Sequence, residues 1–198
     1  MKAIIFALLF LSLAVIGTAT PITYIEQATA SGTIGTLTFT DALLSLTFTG
    51  STTNVTGGAG FFSIDATDTV LNIGGIGLST VTDSGLFVFV NQDFATPVAG
   101  FASAQGSILD TMDSAFGNYG LTTSIGPITD GNFIRPDLIF ATTLGGLDIT
   151  SAGNSTFRAF ITASPVPEPS SLGVLLFALG LGVAARRIAS VRRGNNLS

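Results

Sequence analysis

The sequence predicts a mainly β protein. We expect an antiparallel β-sandwich-like body with one short helix, between an N-terminal signal helix and a C-terminal transmembrane helix. Apolar and polar residues alternate through much of residues 22–162, which predicts strands. Turns rich in Gly, Asn and Asp separate these short stretches. Uninterrupted apolar runs near both ends predict the two flanking helices.

Residues 1–19 have the order of a secretory signal peptide. Lys2 precedes an apolar run over residues 3–16, and small residues then lead to Ala19, the expected cleavage position. As a helix this run spans only about 21 Å, which is less than the roughly 30 Å hydrocarbon core of a bilayer. We therefore expect the general secretion machinery to export the chain and signal peptidase to remove this segment.

Residues 20–163 form the predicted β-rich extracytoplasmic domain. Its candidate strands are residues 37–40, 44–49, 69–73, 76–82, 86–90, 121–125, 138–142 and 157–161. Leu86–Val90 is apolar throughout, which predicts a central strand buried on both faces. Ser107–Phe116 begins with Ser, has an acid three residues later and ends before Gly117, which predicts the one helix. A β-solenoid is the rival fold, but no fixed repeat period supports it.

The composition excludes several kinds of chemistry. The chain has no Cys and no His, so it has neither a thiolate zinc site nor an imidazole base. Between residues 20 and 164 there are two arginines and eleven acids, which gives a net charge of −9. Nucleic-acid binding is not expected, because it needs cationic contacts to phosphate. We expect no enzymatic activity, no cofactor and no metal.

Two acidic pairs and two threonine series leave other functions open. Asp65 with Asp68, and Asp110 with Asp113, supply carboxylates for calcium or for a polysaccharide-acting enzyme, although turn capping explains them as well. Threonine alternates at positions 36, 38 and 40 and at positions 47 and 49. Such series place hydroxyls on one strand face, as an ice-binding or ligand-binding module requires, but threonine is also common in ordinary strands.

The C-terminal region joins a stiff proline segment to an apolar helix and a basic end. The proline segment is Val166-Pro167-Glu168-Pro169, and its alternating prolines disfavour α-helix and keep it extended. Residues 172–185 carry no charge and are predicted to enter the membrane. Arginines follow at Arg186, Arg187, Arg192 and Arg193. By the positive-inside rule they stop transfer and mark the cytoplasmic side.

This order of features resembles the PEP-CTERM sorting signal of bacterial proteins, a tail that also bears the label of an ice-binding protein C-terminal domain. The resemblance gives a sorting and anchor segment at residues 164–189 and a basic cytoplasmic tail at 190–198. It implies that an exosortase recognises Pro167, Glu168 and Pro169 and severs an intermediate anchored transiently in the inner membrane. It further implies a final place at the cell surface or in the extracellular matrix, with a structural or adhesive role among exopolysaccharide.

Overall fold

A computed structural model of the chain describes residues 20–132 and 137–162. These residues belong to the unit Met1–Thr162, which is separate from the unit Ala163–Ser198. The predicted signal peptide at 1–19 and the predicted sorting and cytoplasmic segments at 164–198 lie outside the described residues. Within the described ranges, no helix combines the length and the apolar character that a membrane crossing needs.

Strands form most of the described part of the domain. In chain order these are β1 (Pro21–Ile34), β2 (Leu37–Ser51), β3 (Thr56–Gly58), β4 (Phe61–Asp65), β5 (Val70–Ile73), β6 (Gly77–Thr80), β7 (Phe87–Asn91), β8 (Val98–Ser103), β9 (Gly106–Met112), β10 (Ile125–Asp130), β11 (Ile139–Thr142) and β12 (Gly145–Ile161). Two short 3₁₀ helices, Thr52–Asn54 and Ser114–Asn118, interrupt them.

The strands form two antiparallel sheets. Sheet A has the order β10-β12-β1-β2-β5-β6, and β11 also pairs with β12. Sheet B has the order β3-β4-β7-β8-β9. The long strands β12, β1 and β2 lie side by side in the middle of sheet A, with Ile22 opposite both Ile161 and Gly50. The prediction of a mainly β body with antiparallel sheets is confirmed.

Both sheets contribute to one hydrophobic core. Side chains alternate along a strand, and in β1 every even-numbered position from Ile22 to Ile34 is buried. The same cluster of buried side chains contains Leu46 of sheet A together with Val88 and Phe101 of sheet B. The two sheets therefore pack as layers around a shared interior, as in a β-sandwich.

Sheet B is covered on both of its faces at its centre. All six residues of β8 are buried, and so are the three central residues of β7. On the outer face, Phe89, Val98 and Ala102 form a second apolar cluster with Phe87 and Met112 packed against it. The prediction of a central buried strand at residues 86–90 is confirmed, because β7 lies between β4 and β8.

The predicted helix over Ser107–Phe116 is wrong. Gly106–Met112 is strand β9, which pairs with β8 from Val98 opposite Met112 to Ser103 opposite Gly106. Only a five-residue 3₁₀ helix follows, and the carboxylate of Asp113 caps it by accepting from the Ala115 amide at 2.6 Å. The predicted capping residues Ser107 and Asp110 lie within β9 instead, where the Ser107 hydroxyl donates to the Asp110 carboxylate. Pairing with β8 overrides local helix propensity here.

Two strand predictions also differ from the structure. Residues 121–124 are not a strand, because Leu121 has a φ of 61° and buries its side chain in the core instead of continuing a ladder. Conversely, residues 37–40 and 44–49 are parts of one strand, β2. A kink at Asp41, with a φ of 47°, separates them and coincides with a shift in the pairing of β1 with β2 between Ala30 and Gly32.

Candidate functional site

A group of polar side chains lies inside the core, between the two sheets. Glu26 occupies an even-numbered position of β1, so its carboxyl faces the interior and is 0% exposed. Thr111 of β9 approaches it from sheet B, with 2.7 Å between Thr111 Oγ1 and Glu26 Oε1. Ser155 of β12 lies beside both, with 2.7 Å between its Oγ and Thr111 Oγ1. We call Glu26, Thr111, Ser155 and the main-chain carbonyl of Asp110 the inner polar chain.

The inner polar chain ends on the backbone of sheet B. The Ser155 hydroxyl donates to the carbonyl oxygen of Asp110 at 2.5 Å. The side chain of Asp110, which is 3% exposed, accepts from the Ser107 hydroxyl at 2.7 Å. At the other end, Glu26 Oε2 is buried and has no hydrogen-bond partner among the described residues. The inner polar chain therefore links β1 and β12 of sheet A to β9 of sheet B.

Burial is the dominant influence on the ionisation of Glu26. Removal from water raises the pKa of this carboxyl well above its usual range, because the interior disfavours the charged form. The hydrogen bond with Thr111 acts in the opposite direction, and the negative charge of Asp110 raises the pKa further. The net direction is upward, which favours a neutral carboxylic acid at this position.

Aromatic rings pack nearby in the same core. Tyr24 stacks on Phe48 with 6.4 Å between ring centroids, and Phe157 and Phe116 meet edge to face at 5.6 Å. The Tyr24 hydroxyl donates to the carbonyl of Leu121 at 2.6 Å, and burial raises its pKa. This bond fixes the loop at Leu121 to β1. Phe157 also lies opposite Glu26 in the pairing of β1 with β12, which places an aromatic residue beside that carboxyl.

The structure brings one of the two acidic pairs that the sequence singled out to a common hollow and assigns the members of the other pair to separate elements. Asp65 and Asp68 line one hollow together with Asn54, beside Thr47 and Thr49. Asp110 is buried on β9, whereas Asp113 caps the following 3₁₀ helix, so these two serve separate elements. Within residues 20–132 and 137–162, no group of three or more Asp, Glu, His or Cys side chains is arranged to hold a metal ion.

The threonine series do not combine into a regular array among the described residues. The Asp41 kink separates Thr38 and Thr40 from Thr47 and Thr49 within β2. The residues paired beside Thr47 on the neighbouring strands are Ile25 and Val70, which are apolar and branched. Thr49 lies opposite Thr23, and their hydroxyls are 2.8 Å apart.

A row of uncharged polar side chains crosses the outer face of sheet A. The pairing places one residue from each of five adjacent strands in line; in order these are Thr129, Thr156, Gln27, Ser45 and Asn72. Neighbouring strands are about 4.8 Å apart, so this hydroxyl–amide row spans roughly 19 Å. The Thr129 and Thr156 hydroxyls are 2.7 Å apart, and the Gln27 amide donates to Ser45 Oγ at 3.2 Å. Arg158 is exposed on the same face, two residues along β12 from Thr156.

The outer face of sheet B has a different character. An apolar groove of about 690 Å³ lies there, lined mainly by Phe89, Phe94, Val98 and Met112, with Asp110 and Ser107 at its polar side. Phe94 is 58% exposed, whereas Phe89 is 8% exposed because it packs into the sheet. The sequence had indicated the apolar strand β7 but not this groove, because the loop that carries Phe94 lies outside every predicted element.

Comparison with known families decides the nature of the C-terminal region. A family model for the PEP-CTERM protein-sorting motif matches residues 165–193. This chain carries a PEP-CTERM sorting motif. The match contains Val166, Pro167, Glu168 and Pro169, and also Arg186, Arg187, Arg192 and Arg193. No curated protein and no solved structure matches the chain. The resemblance predicted from the sequence is confirmed.

The sorting motif has direct consequences for the destination of the chain. It implies export, processing by an exosortase, and a cell-surface or extracellular location. The individual roles of the Pro-Glu-Pro residues and the arginines stay predictions, as does cleavage after Ala19. The motif concerns sorting alone, so the role of the β domain has to be argued from its own surfaces.

Proposed function

We propose that this chain is an exported structural or adhesive protein of an exopolysaccharide or biofilm matrix. In this proposal the chain is anchored briefly in the inner membrane by its apolar C-terminal segment, and an exosortase then severs it near Pro167-Glu168-Pro169. The single observation that carries the proposal is the sorting motif at residues 165–193. The β domain is then the part that reaches the surface and remains there.

The outer face of sheet A supports contact with polysaccharide. Sugars present hydroxyl groups in series, and the hydroxyl–amide row offers donors and acceptors in line over five strands. None of the five side chains is charged, although the body as a whole has a net charge of −9. Arg158 lies beside the row. This face therefore suits a neutral glycan. It also suits a weakly anionic glycan, which the acidic surfaces elsewhere on the domain would repel.

The proposal assigns no enzymatic activity to the body. An enzyme that cleaves polysaccharide commonly needs two carboxyl groups that face each other across an accessible cleft. Glu26, the one glutamate of the body, is enclosed in the core, and Asp110 is 3% exposed. An ice-binding role would need a repeating threonine face, for which the pairing of Thr47 with Ile25 and Val70 gives no support.

Substitutions in the Pro-Glu-Pro segment test the proposed sorting. Glu168→Ala and the double change Pro167→Ala with Pro169→Ala are expected to leave the protein in the inner-membrane fraction, with Leu197 and Ser198 still attached. Pro97→Ala is the matched control, because it removes a proline from the β domain, outside the motif at residues 165–193, and is expected to be sorted normally. Fractionation of cells followed by mass spectrometry of both termini gives the result. Normal delivery of both triplet variants to the surface would contradict the proposal.

A further inference from the structure

The inner polar chain contains more close contacts than its hydroxyl groups have protons. Three oxygen pairs are in hydrogen-bond contact: Glu26 with Thr111 at 2.7 Å, Thr111 with Ser155 at 2.7 Å, and Ser155 with the Asp110 carbonyl at 2.5 Å. Each such contact needs one proton between its oxygens. Thr111 and Ser155 supply one proton each, and a main-chain carbonyl supplies none. The third proton has to come from the carboxyl group of Glu26.

The direction of each bond follows from this count. The Asp110 carbonyl only accepts, so the Ser155 proton points to it. Ser155 then has only lone pairs for Thr111, so the Thr111 proton points to Ser155. Thr111 in turn has only lone pairs for Glu26, so the carboxyl donates. We infer that Glu26 is held as a protonated carboxylic acid whose proton starts a one-way hydrogen-bond chain that ties sheet A to sheet B.

The second carboxyl oxygen gives independent support. Glu26 Oε2 is buried without a hydrogen-bond partner among the described residues. In the protonated acid this atom is a neutral carbonyl oxygen, for which a missing partner has a moderate cost. In a carboxylate it would share a full negative charge in the interior, where an uncompensated charge costs far more.

Among the residues that the structure describes, the groups around Glu26 do not offer a compensating cation. Its paired neighbours are Leu46 on β2 and Phe157 on β12, and both are apolar. From sheet B it faces Thr111, and the one described charge that acts on it is Asp110, which has the same sign as an ionised Glu26. On β10, Asp130 is exposed and bonds the Gly131 amide. All of these surroundings favour the neutral acid.

A protonated Glu26 in the fold contributes more to the stability of the domain in acid than in base. In the unfolded chain Glu26 ionises near its ordinary pKa of 4.5, while burial keeps it protonated in the fold to a higher pH. Between these two values the folded state binds one more proton than the unfolded state, so stability falls as pH rises. Its contribution is complete below about 4.5 and is lost progressively up to the raised pKa. We call the protonated Glu26, with the hydrogen bonds that it starts through Thr111 and Ser155, the acid-stabilised latch between the sheets.

Carbon-13 NMR of the full chain tests the latch directly. The chain has only two glutamates, Glu26 and Glu168, so labelling of glutamate at the carboxyl carbon gives two signals. Glu26→Gln identifies one of them, and Glu168→Gln identifies the other if the first variant does not fold. We expect the Glu26 signal to keep the position of a protonated acid as the pH rises well past 4.5. Titration of that signal with a midpoint near 4.5 would overturn the inference.

Denaturant unfolding of the full chain in detergent provides the second measurement. Glutamine at position 26 has an N–H donor that replaces the acid proton but cannot ionise. Relative to Glu26→Gln, the folding equilibrium constant of the original chain should fall about tenfold for each pH unit above 4.5, until Glu26 ionises in the fold. Asp65→Asn, which removes an exposed carboxylate of β4, should leave that pH dependence in place. Parallel pH profiles for the original chain and Glu26→Gln would overturn the inference.

Discussion

The two sheets share one core but differ in what their outer faces present. On the outer face of sheet A, side chains such as Gln27 and Ser45 are polar and partly exposed, and apolar neighbours such as Leu78 are exposed to solvent. On the outer face of sheet B, Phe89 and Val98 are buried in a second apolar cluster. Sheet A thus has one packed face and one surface face, while the centre of sheet B is packed on both.

This difference separates the part of the domain that tolerates change from the part that does not. A residue on the outer face of sheet A has water as its neighbour, so substitutions there alter a surface without opening a cavity. Residues at the centre of sheet B are buried on both faces, although Phe89 and Val98 also border the apolar groove, so a loss of side-chain volume there removes buried contacts. We therefore expect substitutions on the outer face of sheet B to lower the free energy of unfolding more than those on the outer face of sheet A. We expect contact with partners to depend on the outer face of sheet A.

The largest expected effect is the loss of an aromatic ring from the outer face of sheet B. Phe89→Ala removes a side chain that is 8% exposed and lies 6.0 Å, centroid to centroid, from Phe87. We expect the free energy of unfolding to fall by about 3 kcal/mol, because both burial and packing are lost. Leu78→Ala on sheet A is the matched control, since Leu78 is 70% exposed, and should change stability by less than about 0.5 kcal/mol. Equal losses in denaturant unfolding would remove the proposed contrast between the sheets.

A smaller effect is expected from the addition of one methyl group between β8 and β9. A Cβ at position 100 would lie 2.4 Å from the carbonyl oxygen of Leu109, which belongs to the paired backbone and cannot move aside easily. Gly100→Ala should therefore destabilise the domain by about 2 kcal/mol. Gly153→Ala in β12 is the control, because its nearest neighbour, the Thr29 carbonyl oxygen, would be 3.7 Å away. Thermal unfolding that ranks Gly153→Ala as the more harmful change would contradict this view of the packing.

The sequence indicates the core position of Glu26 but not its contacts, and the reason is physical. In β1 the spacing of Ile22, Tyr24 and Ala28 shows a core face, and Glu26 lies on it by the same period of two. That signal was present in the sequence, although the residue that contacts Glu26, Thr111, is 85 positions away and no local pattern joins them. Which buried hydroxyls would meet the carboxyl depends on how the sheets stack, and only the fold supplies this.

Local helix signals gave a wrong prediction where strand pairing determines the structure. Ser107–Phe116 has a helix-like beginning and end, yet β8 supplies a partner strand and sheet A covers the inner face of β9, where Thr111 contacts Glu26. The sorting segment is the opposite case. Its features are a short linear series of residues that needs no pairing with other parts of the chain, so the sequence alone predicted the motif that the family match at residues 165–193 shows.

The smallest effect on stability, and the most specific effect on binding, is expected at the hydroxyl–amide row. Gln27→Ala removes one hydrogen bond to Ser45 at 3.2 Å, and Gln105→Ala, at the β8–β9 turn of sheet B, removes one to Asp83 at 3.1 Å. Both changes should reduce stability by less than about 1 kcal/mol. Only Gln27→Ala should weaken co-sedimentation of the exported protein with host exopolysaccharide, by about three- to tenfold, because one glycan hydrogen bond contributes roughly that much. If both variants bind alike, the glycan contact does not lie on the outer face of sheet A, whatever the outcome of the sorting experiment.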